Sequence, residues 1–202
     1  MKQHNFLIGK IKNCQICNSK DLIEVINLGD QPLANTLVVN IEDDDKIEKY
    51  PVNIVRCNEC TLLQIDYIVD QTKVYHLDYP YLPGITKTVD NEQLDLSDYL
   101  FKELDLKNDQ LVVDIGSNDG SLLKHFKSKN LKVVGVEPTN ISKIANQNGI
   151  NTIQSFFDEE ISKTIIKDFG KAKLITCTNV FAHMSTLGDV MDGIVNLLDE
   201  DG

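Results

Sequence analysis

Four cysteines are set in two C-x-x-C pairs, Cys14 with Cys17 and Cys57 with Cys60, and 39 residues (positions 18 to 56) separate the pairs. A thiolate pair at this spacing chelates one ion from a single turn. Two such pairs complete a tetrahedral four-thiolate site, which suits Zn2+. With all four positions filled by protein, no place remains for water or substrate, so the expected role is structural, holding together a unit too small to bury much core. An iron–sulfur cluster uses the same ligands. Free, disulfide-bonded or redox-active cysteines are the other readings, but two separate knuckles lack thioredoxin-like context. The fifth cysteine, Cys177, sits in an apolar run and reads as a small buried residue.

The second chemistry-bearing stretch is Leu111 to Gly120, LVVDIGSNDG, followed at once by SLLKHF. An apolar, partly β-branched run ends in an acid and a glycine, and a second glycine opens a segment with helical spacing: strand, tight turn, helix. This is how an α/β sheet receives a nucleotide-like cofactor. Glycine lets the backbone approach the ligand and the free N–H groups of the new helix face it. The loop lacks the G-x-G-x-x-G spacing that brings a backbone close to a pyrophosphate, which counts against a dinucleotide and so against an NAD-dependent oxidoreductase.

The elements that must position these groups differ between the two halves. From Leu111 onward the chain alternates β and α. LVVDIG, LKVVGVEP, INTIQSFF and KLITCTN read as four strands, and helices lie between them, stopping at Gly149 and at Gly170. A final helix places Leu187, Val190, Met191, Ile194, Val195 and Leu198 on one face. Such alternation implies a mainly parallel sheet with right-handed crossovers, and the ligand lies beyond the carboxyl ends of the strands. Those ends are Gly116 to Gly120, Glu137-Pro138, Ser155 to Phe157 and Thr178 to His183. Glu137, 21 residues past Gly116, can accept hydrogen bonds from both hydroxyls of a ribose. Phe156 and Phe157 fall where an adenine ring would lie, to stack on it or to fill the core.

Before that, LIEVINLGDQPLANTLVV offers short apolar runs broken at Gly29-Asp30 and Gln31-Pro32. VNIVRC and TLLQIDYIV each read as a strand. The acidic run Glu42 to Asp45 reads as a solvated loop. From Asn91 to Leu104 the leucines and Tyr99 fall near helical spacing, so a helix carries the chain into the next domain. The expected division is 1–75 for the metal-held unit, 76–108 for linker and helix, and 109–202 for the cofactor domain.

The totals narrow the classes. A formal charge of -11, from 20 basic and 31 acidic residues, repels a phosphate backbone and argues against nucleic-acid binding. No run reaches the ~18 apolar residues of a membrane span, and the short apolar run at Phe6 to Ile8 is no signal-peptide core. A cytoplasmic location and no membrane partner are the default expectations, and paired cysteines fit a reducing compartment.

The loop resembles the D-x-G-x-x-x-G loop of S-adenosylmethionine methyltransferases, with Asp114, Gly116 and Gly120 in register; Asn118 stands where many of those enzymes have glycine. The N-terminal half resembles the zinc-binding domain of the sugar C-methyltransferases, bacterial enzymes that methylate a ring carbon of nucleotide-linked deoxy-keto sugars. The matching residues are the two cysteine pairs, LGDQPLAN at Leu28 to Asn35, YPVNIVRCNECTLLQ at Tyr50 to Gln64 and DYPY at Asp78 to Tyr81, and that family carries an IGSNDG-like loop. Leu82-Pro83-Gly84 stand where the family usually has serines.

The resemblance implies an α/β protein in which a small four-cysteine zinc-binding domain precedes a Rossmann-like class I methyltransferase domain. It implies S-adenosyl-L-methionine as cofactor, held by Asp114, Gly116, Ser117, Asn118, Asp119, Gly120, Glu137, Pro138, Phe156, Phe157 and Asn179, with Zn2+ on Cys14, Cys17, Cys57 and Cys60. His183, in TNVFAHM, matches a histidine lining the family's active site, and Tyr79 and Tyr81 match residues bordering it. The implied substrate is a nucleotide-linked keto-deoxysugar, methylated through an enolate. The family continues into a fifth strand and a second α/β domain, so the chain reads as roughly the N-terminal half of such an enzyme, open-edged at its fourth strand, binding cofactor weakly and not turning over alone. The contrasting reading is a zinc-ribbon binding protein with a cofactor-like fold and no turnover.

Overall fold

The computed structural model describes residues 8–34, 47–77 and 82–202; Tyr79, Tyr81 and the acidic run Glu42 to Asp45 lie outside the described residues. The chain divides into two compact units, Met1–Val74 with Met184–Gly188, and Tyr75–His183 with Asp189–Gly202. No helix among the described residues is long and apolar enough to cross a membrane.

In the first unit β1 (Gly9–Lys10) pairs with β5 (Tyr67–Ile68), and β2 (Leu22–Pro32), β3 (Lys49–Cys57) and β4 (Leu63–Ile65) form an antiparallel sheet in the order β2-β3-β4. The short helix α1 (Gln71–Val74) follows. Two expectations change. Gly29-Asp30 does not break the strand: Gly29 adopts a φ of +70°, its N–H donates to Asn27 Oδ1 at 2.8 Å, and β2 runs on through an irregularity in register. TLLQIDYIV is two strands, because Asp66 between them is buried and tied to other elements. Its carbonyl accepts from Ile11 N at 2.8 Å, and its carboxylate accepts from Asn53 Nδ2 at 2.9 Å and pairs with Lys10 Nζ at 3.3 Å. The segment Met184–Gly188 is held within this unit by side-chain amides. Leu187 N–H donates to Gln15 Oε1 and Gln71 Nε2 donates to Thr186 Oγ1, both at 3.0 Å.

The second unit is built on a four-stranded parallel sheet, β6 (Leu111–Ile115), β7 (Lys132–Val136), β8 (Thr152–Ile153) and β9 (Leu174–Thr176), in the order β8-β7-β6-β9. All five residues of β6 are buried, the four apolar ones and Asp114 alike, as befits a strand covered on both faces. The crossovers are α3 (Ser121–Lys127), α4 (Ile141–Gln147) and α5 (Glu159–Phe169), with α6 (Leu187–Leu197) after β9. Asp158 caps α5 by accepting from Ile161 N at 2.8 Å, and Gly170 ends it at a φ of +94°. The helix before the sheet, α2 (Lys87–Glu103), lays Leu96, Leu100 and Phe101 against the core of Val112, Leu122, Leu123 and Phe126.

Periodicity alone misplaces several side chains. Leu94 and Tyr99 on α2, Leu104 at its end and Val195 on α6 read as apolar-face residues but are exposed, Tyr99 and Val195 at 62% and 63%, whereas Leu197 is fully buried. Rings and branched side chains tolerate the solvent face when their neighbours fill the core. Cys177, just past β9, is half-buried, and burial together with the nearby Asp114 pushes its thiol up to about 12.

Candidate functional site

The first unit contains a four-sulfur cluster. The Sγ atoms of Cys14, Cys17, Cys57 and Cys60 all lie within 4.8 Å of one another, with 3.5 Å between Cys14 and Cys60 and between Cys17 and Cys57. Four ligands at ~2.3 Å from a tetrahedral zinc are about 3.8 Å apart, so the donor set and its spacing fit Zn2+. The two knuckles repeat one local geometry. Asn18 N donates to Cys14 O and Thr61 N to Cys57 O, both at 3.0 Å, and the residue after each pair is left-handed, Asn18 at φ +61° and Thr61 at +65°.

Burial would raise the Cys14 thiol, but the Cys17 and Ile16 amides and Gln64 outweigh it and bring it down to about 6. Cys60, although the Leu62 amide lowers it, is driven up to about 12 by burial and the other thiols. Gln64 is a residue that spacing does not reveal. It is buried, its Oε1 accepts from Gln15 N at 3.1 Å, and its Nε2 has no hydrogen-bond partner among the described residues.

Thr61 is the weak point of this centre, since a β-branched residue in the left-handed region is strained by roughly 1–2 kcal/mol relative to glycine. Thr61→Gly is expected to raise the urea midpoint of the zinc-loaded first unit by an amount worth about 1 kcal/mol. An unchanged or lower midpoint contradicts the strain argument.

In the second unit the loop after β6 is shaped by backbone. Gly116 and Gly120 lie at φ +72° and +77°, with Asn118 at +50° between them. A Cβ on Gly116 would come within 2.5 Å of Val180 Cγ2, so glycine lets the loop pass under the segment that follows β9. Gly116 N and Ser117 N both donate to Val136 O, at 2.8 and 3.1 Å. Glu137, at the end of β7, is 5% exposed; its Oε2 accepts from Asn118 N at 3.1 Å and its Oε1 from Thr139 N at 2.9 Å. Asp114 is buried under the loop and accepts from Thr176 Oγ1 at 2.6 Å. Burial, with the neighbouring Glu137 charge adding to it against the Thr176 bond, pushes its carboxyl up to about 7.

Two hydroxyls of the same turn, Ser117 Oγ and Ser121 Oγ, are buried and have no hydrogen-bond partner among the described residues. Unpartnered buried hydroxyls, a left-handed glycine loop and a carboxylate with lone pairs left over fit a ligand carrying a ribose and polar groups.

The remaining candidates are spread around this loop. Pro138 is half-buried beside Glu137. Phe157 is 6% exposed and lies against Gly193 of α6, where a Cβ would meet its ring at 2.9 Å, so it is a core residue, whereas Phe156 is half-buried. Asn179, at φ +55°, and His183, on the short turn Phe181–His183, are both exposed after β9, and His183 N donates to Val180 O at 2.9 Å. Asp119 turns to backbone: Oδ1 accepts from Ser121 N and Oδ2 from Gly84 N, both at 3.1 Å. The structure thus ties the loop Gly116 to Gly120 to the end of β7 through Glu137 and Val136, while Asp114 beneath it is bonded to Thr176 of β9.

Sequence reading missed three residues that shape the loop. Val180 packs on Gly116. Gly135 is needed because a Cβ there would lie 2.3 Å from Ser117 Oγ, and Gly84 because its Cβ would lie 2.4 Å from Asp119 Oδ2. A glycine inside an otherwise β-branched strand, as at Gly135, is the signal that was available.

Two family models match the chain: one described as "Putative zinc binding domain" over residues 14–75, and one described as "Methyltransferase domain" over residues 87–202. The chain is 28% identical over 197 residues to the C-methyltransferase NovU of Streptomyces niveus, covering 97% of this chain and 47% of that protein, so it spans about half the length of the curated relative it matches. Among solved structures, Streptomyces venezuelae DesVI is similar at 20% identity and a TM-score of 0.43, over 67% of this chain and 56% of that one. Coclaurine N-methyltransferase bound to N-methylheliamine and SAH is similar at 19% identity and a TM-score of 0.44, over 58% of this chain and 36% of that one.

Proposed function

Because the chain belongs to the methyltransferase-domain family, we propose that it binds S-adenosyl-L-methionine at the β6–α3 loop and serves C-methylation of a nucleotide-linked keto-deoxysugar through an enolate. The similarity to NovU, a C-methyltransferase, supports carbon as the methylated atom. The observation that carries the cofactor reading is the tie between loop and neighbouring strand, Asn118 N–H donating to the buried Glu137 carboxylate at 3.1 Å. It fixes both at the carboxyl end of a parallel sheet, where such ligands bind.

On this reading the backbone of Gly116 to Gly120 holds the polar end of the cofactor. Glu137 takes the ribose hydroxyls through its unused lone pairs, Pro138 and Phe156 flank the base, and Asn179 borders the reacting end. The cofactor, when bound, supplies a methyl group on a sulfonium. C-methylation requires loss of the proton beside the ketone, so that the enolate carbon can bond to the methyl, together with a donor toward the oxyanion. The exposed His183, on the turn after β9, is the side chain assigned to polarise that oxygen or move that proton. Tyr79 and Tyr81, outside the described residues, are assigned to the border of the same site. We read residues 1–75, joined by Met184–Gly188, as the zinc-binding domain, 76–108 as the linker and helix, and the rest of 109–202 as the cofactor domain. A small-molecule substrate in a cytoplasmic setting completes the reading, with neither nucleic acid nor membrane as partner.

Calorimetric titration of the zinc-loaded chain with S-adenosylhomocysteine tests it. Binding is expected, and Glu137→Gln, which turns an amide N–H toward a backbone N–H and loses a charge-assisted bond of ~1.5–3 kcal/mol, weakens it about 10- to 100-fold. No binding by a folded sample favours a non-catalytic binding protein, and a preference for NAD favours an oxidoreductase.

A further inference from the structure

We propose that Asp119 is a positioning residue: its carboxylate fastens the turn Pro83–Ile85 onto the start of α3, and this latch sets the shape of the β6–α3 loop. The proposal rests on the cofactor reading above only for its affinity consequence. Both carboxylate oxygens are bonded to backbone amides from different parts of the chain, Oδ1 to Ser121 N and Oδ2 to Gly84 N, each at 3.1 Å. The first bond is local and orients the opening turn of α3. The second spans 35 residues and is the one that a simple helix start does not need.

Gly84 shows that the contact is built from both sides. A Cβ there would stand 2.4 Å from Asp119 Oδ2, 3.3 Å from Asp119 Cγ and 3.3 Å from Ser121 Cβ. A methyl group and the carboxylate cannot occupy that place together, so glycine at 84 and aspartate at 119 are matched. The rest of the loop is pinned independently. Asn118 N is bonded to Glu137 on one flank, and Asn118 Oδ1 accepts from Asp119 N at 2.8 Å. The loop is thus clamped between β7, through Glu137, and the turn before α2, through Asp119. A ligand that settles the loop must also settle the turn, and by linkage a loosened turn must weaken the ligand.

The test uses the full zinc-loaded chain. NMR hydrogen exchange is measured at the residue 84 amide in the wild type, Asp119→Ala and Asp119→Asn, each with and without saturating S-adenosylhomocysteine. Affinities are measured for these proteins, for Gly84→Ala and for the double variant D119A/G84A. Asp119→Ala is expected to speed exchange at Gly84 at least tenfold and to weaken ligand binding three- to tenfold, with Asp119→Asn intermediate. Saturating ligand slows this amide in the wild type but not in Asp119→Ala. Gly84→Ala displaces the carboxylate and weakens binding similarly, and D119A/G84A, where the methyl has room, binds within twofold of Asp119→Ala alone.

Unchanged exchange at Gly84 in Asp119→Ala overturns the latch, as do losses of affinity that multiply in the double variant. A loss beyond a hundredfold with Gly84 still protected makes Asp119 a direct ligand instead. If the wild type binds no S-adenosylhomocysteine, the cofactor reading fails while the exchange measurements without ligand still decide the latch.

Discussion

Stripping the metal with a chelator, or replacing Cys57 with serine, is expected to unfold the first unit while the second keeps its own melting transition. The reason is the distribution of core. Among the described residues of the first unit only Ile11, Val55 and Ile68 are buried aliphatic side chains, beside Cys14 and Cys57 themselves. The second unit buries Leu111, Val112, Val113, Ile115, Leu122, Leu123, Phe126 and others. Full burial of an aliphatic side chain contributes ~1.5–3 kcal/mol, whereas a structural zinc site contributes on the order of 10 kcal/mol, so the metal outweighs the core it accompanies. Serine at the buried position 57 removes one of the four thiolate ligands. The Tyr50–Tyr67 pair, centroids 6.2 Å apart, is lost with this unit, and the loss is read as the difference in near-ultraviolet circular dichroism before and after chelation. Hydrogen exchange in β2 and β3 that stays slow after the metal is removed would sink the prediction.

The second large effect is a pH-dependent gain of stability in Asp114→Asn. Burial, aided by the Glu137 charge and only partly offset by the Thr176 hydroxyl, raises the Asp114 carboxyl to about 7 from a reference value of 3.8. The folded state therefore binds this proton more tightly than the unfolded chain does. Its stabilising contribution is complete below about pH 4, declines as pH rises through the folded value near 7, and is gone above it. Asparagine keeps an oxygen for Thr176 Oγ1 but carries no charge. The variant and the wild type should converge toward low pH and separate by an amount on the order of a few kcal/mol at pH 8. Urea unfolding of the second unit at pH 5 and pH 8 measures the gap, and parallel curves for the two proteins would refute it.

What could be read from sequence follows from how local each signal is. The C-x-x-C pairs and LVVDIGSNDG are local: ligand spacing, a mostly apolar strand and the glycines of the turn are written in consecutive residues, and the structure folds them as a four-sulfur cluster and a strand, turn and helix. Asp66 reads as part of a single strand because its partners, Asn53, Lys10 and Ile11, come from elsewhere in the chain. Gly29 reads as a break in isolation, yet pairing with β3 carries β2 through it. Phe156 and Phe157 are adjacent and chemically equal, and only the approach of Gly193 decides which ring is buried. Gly84 and Gly135 gain their meaning from side chains far away or on the next strand, which no window of sequence contains.

The amide ties from Gln15 to Leu187 and from Gln71 to Thr186 have a consequence for exchanging parts between relatives. The first unit is discontinuous, so a single cut after Val74 does not excise it: the fragment leaves the side-chain amides of Gln15 and Gln71 facing water where Leu187 and Thr186 had been. A chimera that carries the cysteine knuckles of one protein into another must bring Met184–Gly188 with them, two separate stretches inherited as one piece.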